Sequence, residues 1–597
     1  MCGIYCYVGK KKAIPILIDG LTSLEYRGYD SAGIAFLDDN QIKVIKKQGR
    51  LVNLEESINN KYYSNLGIGH TRWATHGVAN EVNAHPHHVG DITLIHNGII
   101  ENYEELRNEL INHGYQIDTE NDTKIACAYI DYLYKNNHDM LKTLSMLKEK
   151  FKGSYALGIL VNGSDKLYAI RKDSPLIIGV SNDGNYIASD VFAILNETNK
   201  YIVLDNNEVV ILDNKVNVYN NGVLVDKKIL TFNHKADEIT KNGYSHFMLK
   251  EIHEQDNLAK KLIDMYLENK DTIINKMPCF DKYDKIDIVA CGSAYHAGMI
   301  GKSLIEEYGD IPVSVNLASE YRYKKLFLND KTLVIAISQS GETADTLASV
   351  NIAKQNNADT LGIVNVALSS IARACDNVLY TNAGPEIAVA TTKAYSMQVL
   401  MLTLIALNIG VSKNLIDKDK LDYIINNYRL LPSKIKEEIN KNYSDIAKQI
   451  YNKNDIFFIG RNVDYALAME GSLKLKEISY LHAESYAAGE LKHGTISLIE
   501  EGTPVIAIVT DDKIYEKTIS NIKEVKARGA NVILITNDKL DVNGDFYDSK
   551  IVVSNLHNLV NSLITIVPLQ LIAYEVAKMK NLDIDKPRNL AKSVTVE

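Results

Sequence analysis

A thiol stands at the second position, in Met1-Cys2-Gly3-Ile4. Aminopeptidases remove an initiator Met that precedes a small residue. Cys2 would then carry a free α-amine beside its own thiol, a nucleophile and a base on one residue. A lone cysteine at an exposed terminus is weak evidence, and an incidental Cys2 stands as the alternative. Further along, His70-Thr71-Arg72-Trp73-Ala74-Thr75-His76 holds the only tryptophan of the chain. His96-Asn97-Gly98 sets an amide side chain beside a glycine N–H, a pair able to hold an oxyanion. Asn-Gly is equally the strongest short signal of a hairpin turn. Thr119-Glu120-Asn121-Asp122-Thr123 reads as a helix start, with Asp122 as cap or ligand. Six histidines (His70, His76, His85, His87, His88 and His96) raise the question of a metal, but their spacing fits no zinc pattern.

The second half carries different chemistry. Ser338-Gln339-Ser340-Gly341-Glu342-Thr343 follows an apolar strand and opens a helix. Its hydroxyls, its glycine and the free N–H groups of a helix start suit a phosphate, while an ordinary N-cap is the plainer reading. Ala290-Cys291-Gly292-Ser293-Ala294-Tyr295-His296 ends a neighbouring strand. Ligands of open α/β sheets bind off such strand ends, so the two turns imply one pocket for a phosphorylated small molecule. Lys474 and Glu477 share a helix face, either as a surface ion pair or as a proton-moving pair. The stretch His482–Gly494, which includes His493, is dense in titratable groups and reads equally as a solvated face or a site. The last residues, Pro587–Glu597, are apolar for a loose terminus, and a docked tail would bring the Lys592 amine to a carbonyl substrate.

These residues need elements to hold them. The chain has 597 residues, 46% hydrophobic and 24% charged, with net charge −9. That is globular composition with material for several cores. The acidic balance and the lack of Lys/Arg runs argue against nucleic acid as a partner. The longest apolar run, Val399–Leu407, is too short to cross a membrane and reads as a core helix. No signal peptide is expected, because Lys10-Lys11-Lys12 interrupts the early apolar stretch. Six scattered cysteines without a CxxC pair fit a reducing cytoplasm. Residues 1–235 alternate short β-like runs with helical stretches, an α+β pattern. Residues 236–250 are polar and read as a linker, followed by a helix from Glu251 to about Asn275. Residues 251–430 show a βαβ rhythm that returns in 431–584, about 170 residues on, which predicts a tandem pair of doubly wound parallel sheets. Residues 585–597 form the tail.

Taken together, Cys2-Gly3-Ile4, Glu25-Tyr26-Arg27-Gly28-Tyr29-Asp30-Ser31-Ala32-Gly33, the His70–His76 block, His96-Asn97-Gly98, Ser338–Thr343, Lys474–Gly494 and Lys592 resemble the isomerising glutamine–fructose-6-phosphate aminotransferases nearly end to end. The resemblance implies an N-terminal-nucleophile glutaminase of α+β fold joined to two α/β sugar-isomerase (SIS) domains. It implies formation of glucosamine 6-phosphate, the first step of amino-sugar synthesis, with ammonia channelled internally past Trp73. It makes Cys2 the nucleophile, Asn97 and Gly98 the oxyanion hole, and Arg72, His76 and Asp122 the glutamine ligands. It puts the sugar phosphate on Ser293, Ser338, Gln339, Ser340 and Thr343. His493 would open the ring, Lys592 form an imine, and Glu477 with Lys474 move a proton. No metal or organic cofactor is implied, and a homodimer is, because the family's counterpart of His493 comes from the partner subunit. Two other classes compete. A phosphoribosyl amidotransferase would need a pyrophosphate loop with paired acidic residues, which is not found. A sugar-phosphate sensor would not need Cys2, Glu477 and Lys592.

One position departs from the family. Its usual Cys-Gly-Thr-Ser reads Cys291-Gly292-Ser293-Ala294 here, so Ala294 lacks a hydroxyl able to reach the phosphate. One hydrogen bond is worth about 1 kcal/mol, more to an anion. Ala294→Ser is therefore expected to bind fructose 6-phosphate at least about fivefold more tightly by calorimetry. Unchanged affinity would count against a phosphate at this turn.

Overall fold

A computed structural model describes residues 2–39, 41–59, 61–73, 78–117, 119–232, 240–268 and 276–595. The chain divides into two compact units, Met1–Ile239 with Ala591–Glu597, and Thr240–Leu590.

In the first unit, alternating apolar residues build two antiparallel sheets, of eight and seven strands. Gly3–Gly9 lies inside the larger sheet, between Leu66–Arg72 and Gly184–Ala188. A strand buried on both sides reads as a continuous apolar run, and Ile4 through Val8 are all buried. Ile92–Ile100 belongs to the smaller sheet and pairs with Gly153–Val161. One cluster, with Ile4, Cys6, Ile68, Ile95 and Ala156, draws side chains from strands of both sheets, so the two sheets pack face to face. Helices including Asp122–Asn137 cover the outer face of the smaller sheet. The α+β expectation holds for this unit.

The second unit contains two five-stranded parallel sheets of the same topology. In the first, Lys285–Ala290 stands between Val313–Leu317 and Thr332–Ser338, and Asp359–Val364 and Asn377–Tyr380 follow outward. In the second, Asp455–Gly460 stands between His482–Ala487 and Pro504–Val509, followed by Asn531–Asn537 and Ser549–Val553. Both have the spatial order 2-1-3-4-5 of a doubly wound sheet, as the repeated βαβ rhythm predicts. The edge strands Val313–Leu317, Asn377–Tyr380, His482–Ala487 and Ser549–Val553 were not expected, because their polar or mixed sequences hide the strand pattern. Within the stretch read as a solvated face or a site, His482–Ala487 is an edge strand.

Helices bind the two sheets into one unit. Lys393–Ser412 and Asn558–Met579 are long and apolar enough to cross a membrane, yet both are almost wholly buried in a core that runs from Met248 to Ile584. A helix apolar all round belongs in such a core. The expected helix from Glu251 is observed as two, Phe247–His253 and Gln255–Glu268. It begins inside the 236–250 stretch read as a linker. The Asp585 carboxylate accepts from Phe247 N and Met248 N, both at 2.9 Å, and satisfies the first turn.

Helix Ser293–Gly309 packs closely on Lys393–Ser412 because Gly301 has no side chain. A Cβ there would meet Leu402 at 2.9 Å. Overpacking of this kind costs about 1–3 kcal/mol. Gly301→Val is expected to lower the thermal unfolding midpoint of the intact chain by several degrees, and Gly301→Ser by less. Equal midpoints for wild type and Gly301→Val would contradict this packing.

Candidate functional site

The first unit places Cys2 by strand register. Gly3 pairs with Thr71 across the sheet, which brings Cys2 opposite the end of Leu66–Arg72. Trp73 N donates to Cys2 Sγ at 3.4 Å, and Sγ lies 3.5 Å from Trp73 O. Burial pushes the thiol above its usual pKa, against the opposing pull of the Trp73 N–H and Arg72. Burial thus favours the protonated thiol, and attack calls for a base.

Asn97 reaches the same point from the facing sheet, its Nδ2 donating to Cys2 O at 2.9 Å. Asn97-Gly98 is not a hairpin turn. Both residues lie within Ile92–Ile100 and pair with Ala156 and Tyr155. Gly98 has φ +124°, and a Cβ would stand 2.0 Å from Ser154 O, so only glycine fits. His70, which the sequence marked only as part of a block, fixes the amide. Its Nε2 lies 3.1 Å from Asn97 Oδ1 and 3.0 Å from His96 O. A backbone carbonyl can only accept, so Nε2 carries the hydrogen and Asn97 must present its NH₂ to Cys2. Burial lowers His70 to about 3, which keeps the ring neutral.

Asp122 is the first residue of Asp122–Asn137 and not its cap. Asn121 is the cap, its side chain accepting from Lys124 N at 2.9 Å. The buried Asp122 carboxylate accepts from Ile100 N at 3.1 Å and faces His96 Nδ1 at 3.8 Å. Burial lowers Arg72, opposed by the charges of Cys2, Asp122 and Asp30. The Cys2 thiol, the Arg72 cation and the Asp122 carboxylate thus lie within electrostatic reach of one another. This suits the carboxylate and ammonium ends of an α-amino acid. His76 lies outside the described residues. The buried rings of His70, His85 and His87 pack in series, with centroids 4.2 and 5.0 Å apart, and burial lowers all three. Among the described residues no three His, Cys, Asp or Glu are gathered to hold a metal.

In the second unit, the hydroxyl-rich turn and Cys291–Ser293 follow two adjacent strands at the reversal of strand order, where doubly wound sheets bind ligands. Thr343 precedes helix Ala344–Gln355 but makes no side-chain cap bond. Its Oγ1 lies 2.9 Å from Ser338 Oγ instead. Ser338 Oγ accepts from Gly341 N at 3.0 Å, and Ser340 Oγ from Glu342 N at 3.1 Å. The hydroxyls shape the loop, with Gln339 and Ser340 half-buried beside them. Ser293 differs from the other expected phosphate ligands. Its Oγ donates to Glu470 at 2.8 Å and receives Lys474 Nζ at 3.1 Å.

Lys474 and Glu477 are not a surface pair. The Lys474 side chain is 0% exposed, 2.6 Å from Glu477 Oε2 and 3.4 Å from Glu470 Oε1. Burial alone would lower Lys474, but the two carboxylates outweigh it and hold the amine above its usual value. Burial alone would raise Glu470, but Lys474, His296 and Ser293 outweigh it and hold the carboxyl below its usual value. Glu470 and His296 were not singled out from the sequence, although the i, i+4, i+7 spacing of Glu470, Lys474 and Glu477 could have shown the run. His493 is exposed on the short turn Leu491–His493. Lys592 lies in the tail segment grouped with the first unit.

The equivalent point of the second sheet is filled from within. Asn462 precedes helix Val463–Ser479 with φ +53°, as Gly292 precedes Ser293–Gly309 with φ +57°. The buried Asp464 carboxylate then accepts from Thr510 N at 2.8 Å and from the Thr510 hydroxyl. Burial raises it to about 6.

Residues 280–408 and 449–579 each match the SIS domain family, and residues 70–196 the glutamine amidotransferase domain family. The chain is 48% identical to the glutamine–fructose-6-phosphate aminotransferase [isomerizing] of Clostridium acetobutylicum over the whole of both chains. It is 46% identical to that of Clostridium tetani, again over the whole of both. Among solved structures, the C-terminal domain of glucosamine-fructose-6-phosphate aminotransferase from Francisella tularensis has a TM-score of 0.53 at 36% identity. That match covers 58% of this chain and 99% of the other.

Loss of one oxyanion donor costs roughly 10²–10³ in kcat, and a misaligned donor costs less. His70→Phe is expected to lower the kcat for hydrolysis of the glutamine side-chain amide at least about tenfold, with KM within about twofold. His70→Gln, which can still donate, should recover much of the loss. Wild-type kcat in His70→Phe would show that the ring does not orient Asn97.

Proposed function

The chain belongs to the isomerising glutamine–fructose-6-phosphate aminotransferases, and from that premise we propose how its residues divide the reaction. The enzyme converts fructose 6-phosphate and glutamine to glucosamine 6-phosphate and glutamate. The observation that carries the assignment of residues is the convergence of Cys2 and Asn97, with the amide turned by His70 to present its N–H groups.

Residues 1–235 act as the glutaminase domain. The Cys2 thiol passes its proton to its own α-amine and attacks the side-chain amide carbon. Asn97 and Gly98 hold the oxyanion, ammonia leaves, and water releases glutamate from the thioester. Arg72, Asp122 and His76 bind the carboxylate and ammonium of glutamine. Ammonia passes internally to the sugar site with Trp73 as gate. The contact of the Trp73 backbone with Sγ supports that role, since movement at the thiol reaches this residue directly.

Residues 251–430 and 431–584 act as the two isomerase domains, and 585–597 completes the sugar site. Ser338, Gln339, Ser340 and Thr343 take the phosphate, with Ser293 beside them. His493 assists ring opening. The Lys592 amine forms an imine at C2 with loss of water, and ammonia displaces the lysine. Glu477 takes a proton from C1 and returns it to C2 while the O1 hydroxyl proton passes to the nitrogen, which leaves an aldehyde at C1 and an amine at C2. The Lys474 ammonium beside it stabilises the enolic charge. The exposed position of His493 supports a homodimer in which this residue serves the partner's site. Six unpaired cysteines support a reducing cytoplasmic setting.

Purified protein with glutamine and fructose 6-phosphate is expected to yield glucosamine 6-phosphate and glutamate in equal amounts by mass spectrometry. Cys2→Ala should abolish both products, and Lys592→Ala only the amino sugar. Glutamate alone from the wild type would contradict the sugar-site assignment. Amino-sugar formation from glutamine by Cys2→Ala would contradict the nucleophile.

A further inference from the structure

Glu470 has no catalytic role in the scheme above, yet its carboxylate is wholly buried and each of its oxygens has a partner. Oε1 accepts from Ser293 Oγ at 2.8 Å and faces Lys474 Nζ at 3.4 Å, and Oε2 takes His296 Nδ1 at 2.8 Å. Ser293 and His296 come from the first sheet's helix Ser293–Gly309. Glu470, Lys474 and Glu477 come from the second sheet's helix Val463–Ser479. A row of polar side chains, His296–Glu470–Lys474–Glu477, thus crosses from one isomerase domain to the other. Buried charges seldom add net stability over apolar residues of the same size. Their retention at this point calls for a chemical reason.

We propose that Glu470 is a positioning residue for the isomerisation. It balances and orients the Lys474 ammonium from one helical turn before, so that Lys474 can stand against Glu477 without quenching it as a base. The inference rests on Glu477 as the proton carrier. With Glu470 in place, the Lys474 charge is divided between two carboxylates. Without it, the full charge falls on Glu477, whose carboxylate becomes harder to protonate and a weaker base. The other groups facing the row leave this sign unchanged. Glu386 adds negative potential at Lys474 but is tied to Thr391 Oγ1, Thr392 N and Ala394 N. The Tyr395 hydroxyl faces Glu470 and is held neutral, since burial raises it far above its usual value.

The test compares Glu470→Gln with wild type in amino-sugar synthesis across pH, with glutamine hydrolysis measured on the same sample. Glu470→Gln keeps the shape and removes the charge. Expected are a fall in synthetic kcat of about tenfold or more, KM for fructose 6-phosphate within about twofold, and an acid limb displaced to lower pH. Glutamine hydrolysis should be unaffected. Glu470→Asp, which keeps the charge but draws it back from Lys474, should shift the profile the same way by less, and it replaces Glu470→Gln if that variant does not fold. An unmoved acid limb, or a loss confined to KM, overturns the proposal. Glu477→Gln distinguishes the two readings. If it retains isomerisation, the assignment of Glu477 fails. If it is inactive while Glu470→Gln behaves as wild type, only the role of Glu470 fails.

Discussion

Lys474 is a charge without access to water, and a row of polar contacts between the two isomerase domains forms around it. An isolated ammonium in such a place would give up its proton. Two carboxylates one turn away on either side prevent this, and a hydroxyl and an imidazole from the other isomerase domain complete the set. The row closes only when the two sheets are packed together. Correct assembly of the unit and correct ionisation of the site are therefore one event. A lysine held as a cation is no nucleophile, so Lys474 can stabilise charge but cannot form an imine. The proposed scheme accordingly gives the imine to Lys592 and charge stabilisation to Lys474.

Burial works in the opposite sense in the first unit. There it strips charge, leaving His70, His85 and His87 neutral and Cys2 protonated at rest. A neutral His70 is a one-way donor, which sets the Asn97 amide the right way round. The same solvent exclusion yields fixed ions in one site and fixed dipoles in the other. The difference lies in whether partners of opposite charge are within reach. The tandem repeat adds a further contrast, since one switch point is lined by the Ser338–Thr343 hydroxyls and at its twin the Asp464 carboxylate is bonded to Thr510.

Much of this was legible from sequence. The tandem doubly wound sheets followed from strand runs buried on both faces, and the residues proposed for the two half-sites were named from Cys2, Asn97, the Ser338–Thr343 turn and the Lys474–Glu477 pair. What stayed hidden depends on contacts between distant segments. Periodicity shows which face of a helix is shared, but not that the Lys474 face is buried. Nothing local marks Glu470 or His296, because each gains its meaning from the other domain. Asn97-Gly98 looked like a turn because local propensity favours one, and pairing with Ala156 and Tyr155 overrides it. The polar edge strand His482–Ala487 was missed because an edge needs no apolar alternation.

The account turns on which lysine meets the sugar. Borohydride reduction of the enzyme with fructose 6-phosphate, without glutamine, traps an imine as a stable amine that peptide mass mapping can locate. The account predicts the sugar-phosphate mass on the peptide that contains Lys592, and an unmodified Lys474. A label on Lys474 would contradict it, because that lysine would then have lost its proton and could not be the ion that the two buried carboxylates hold.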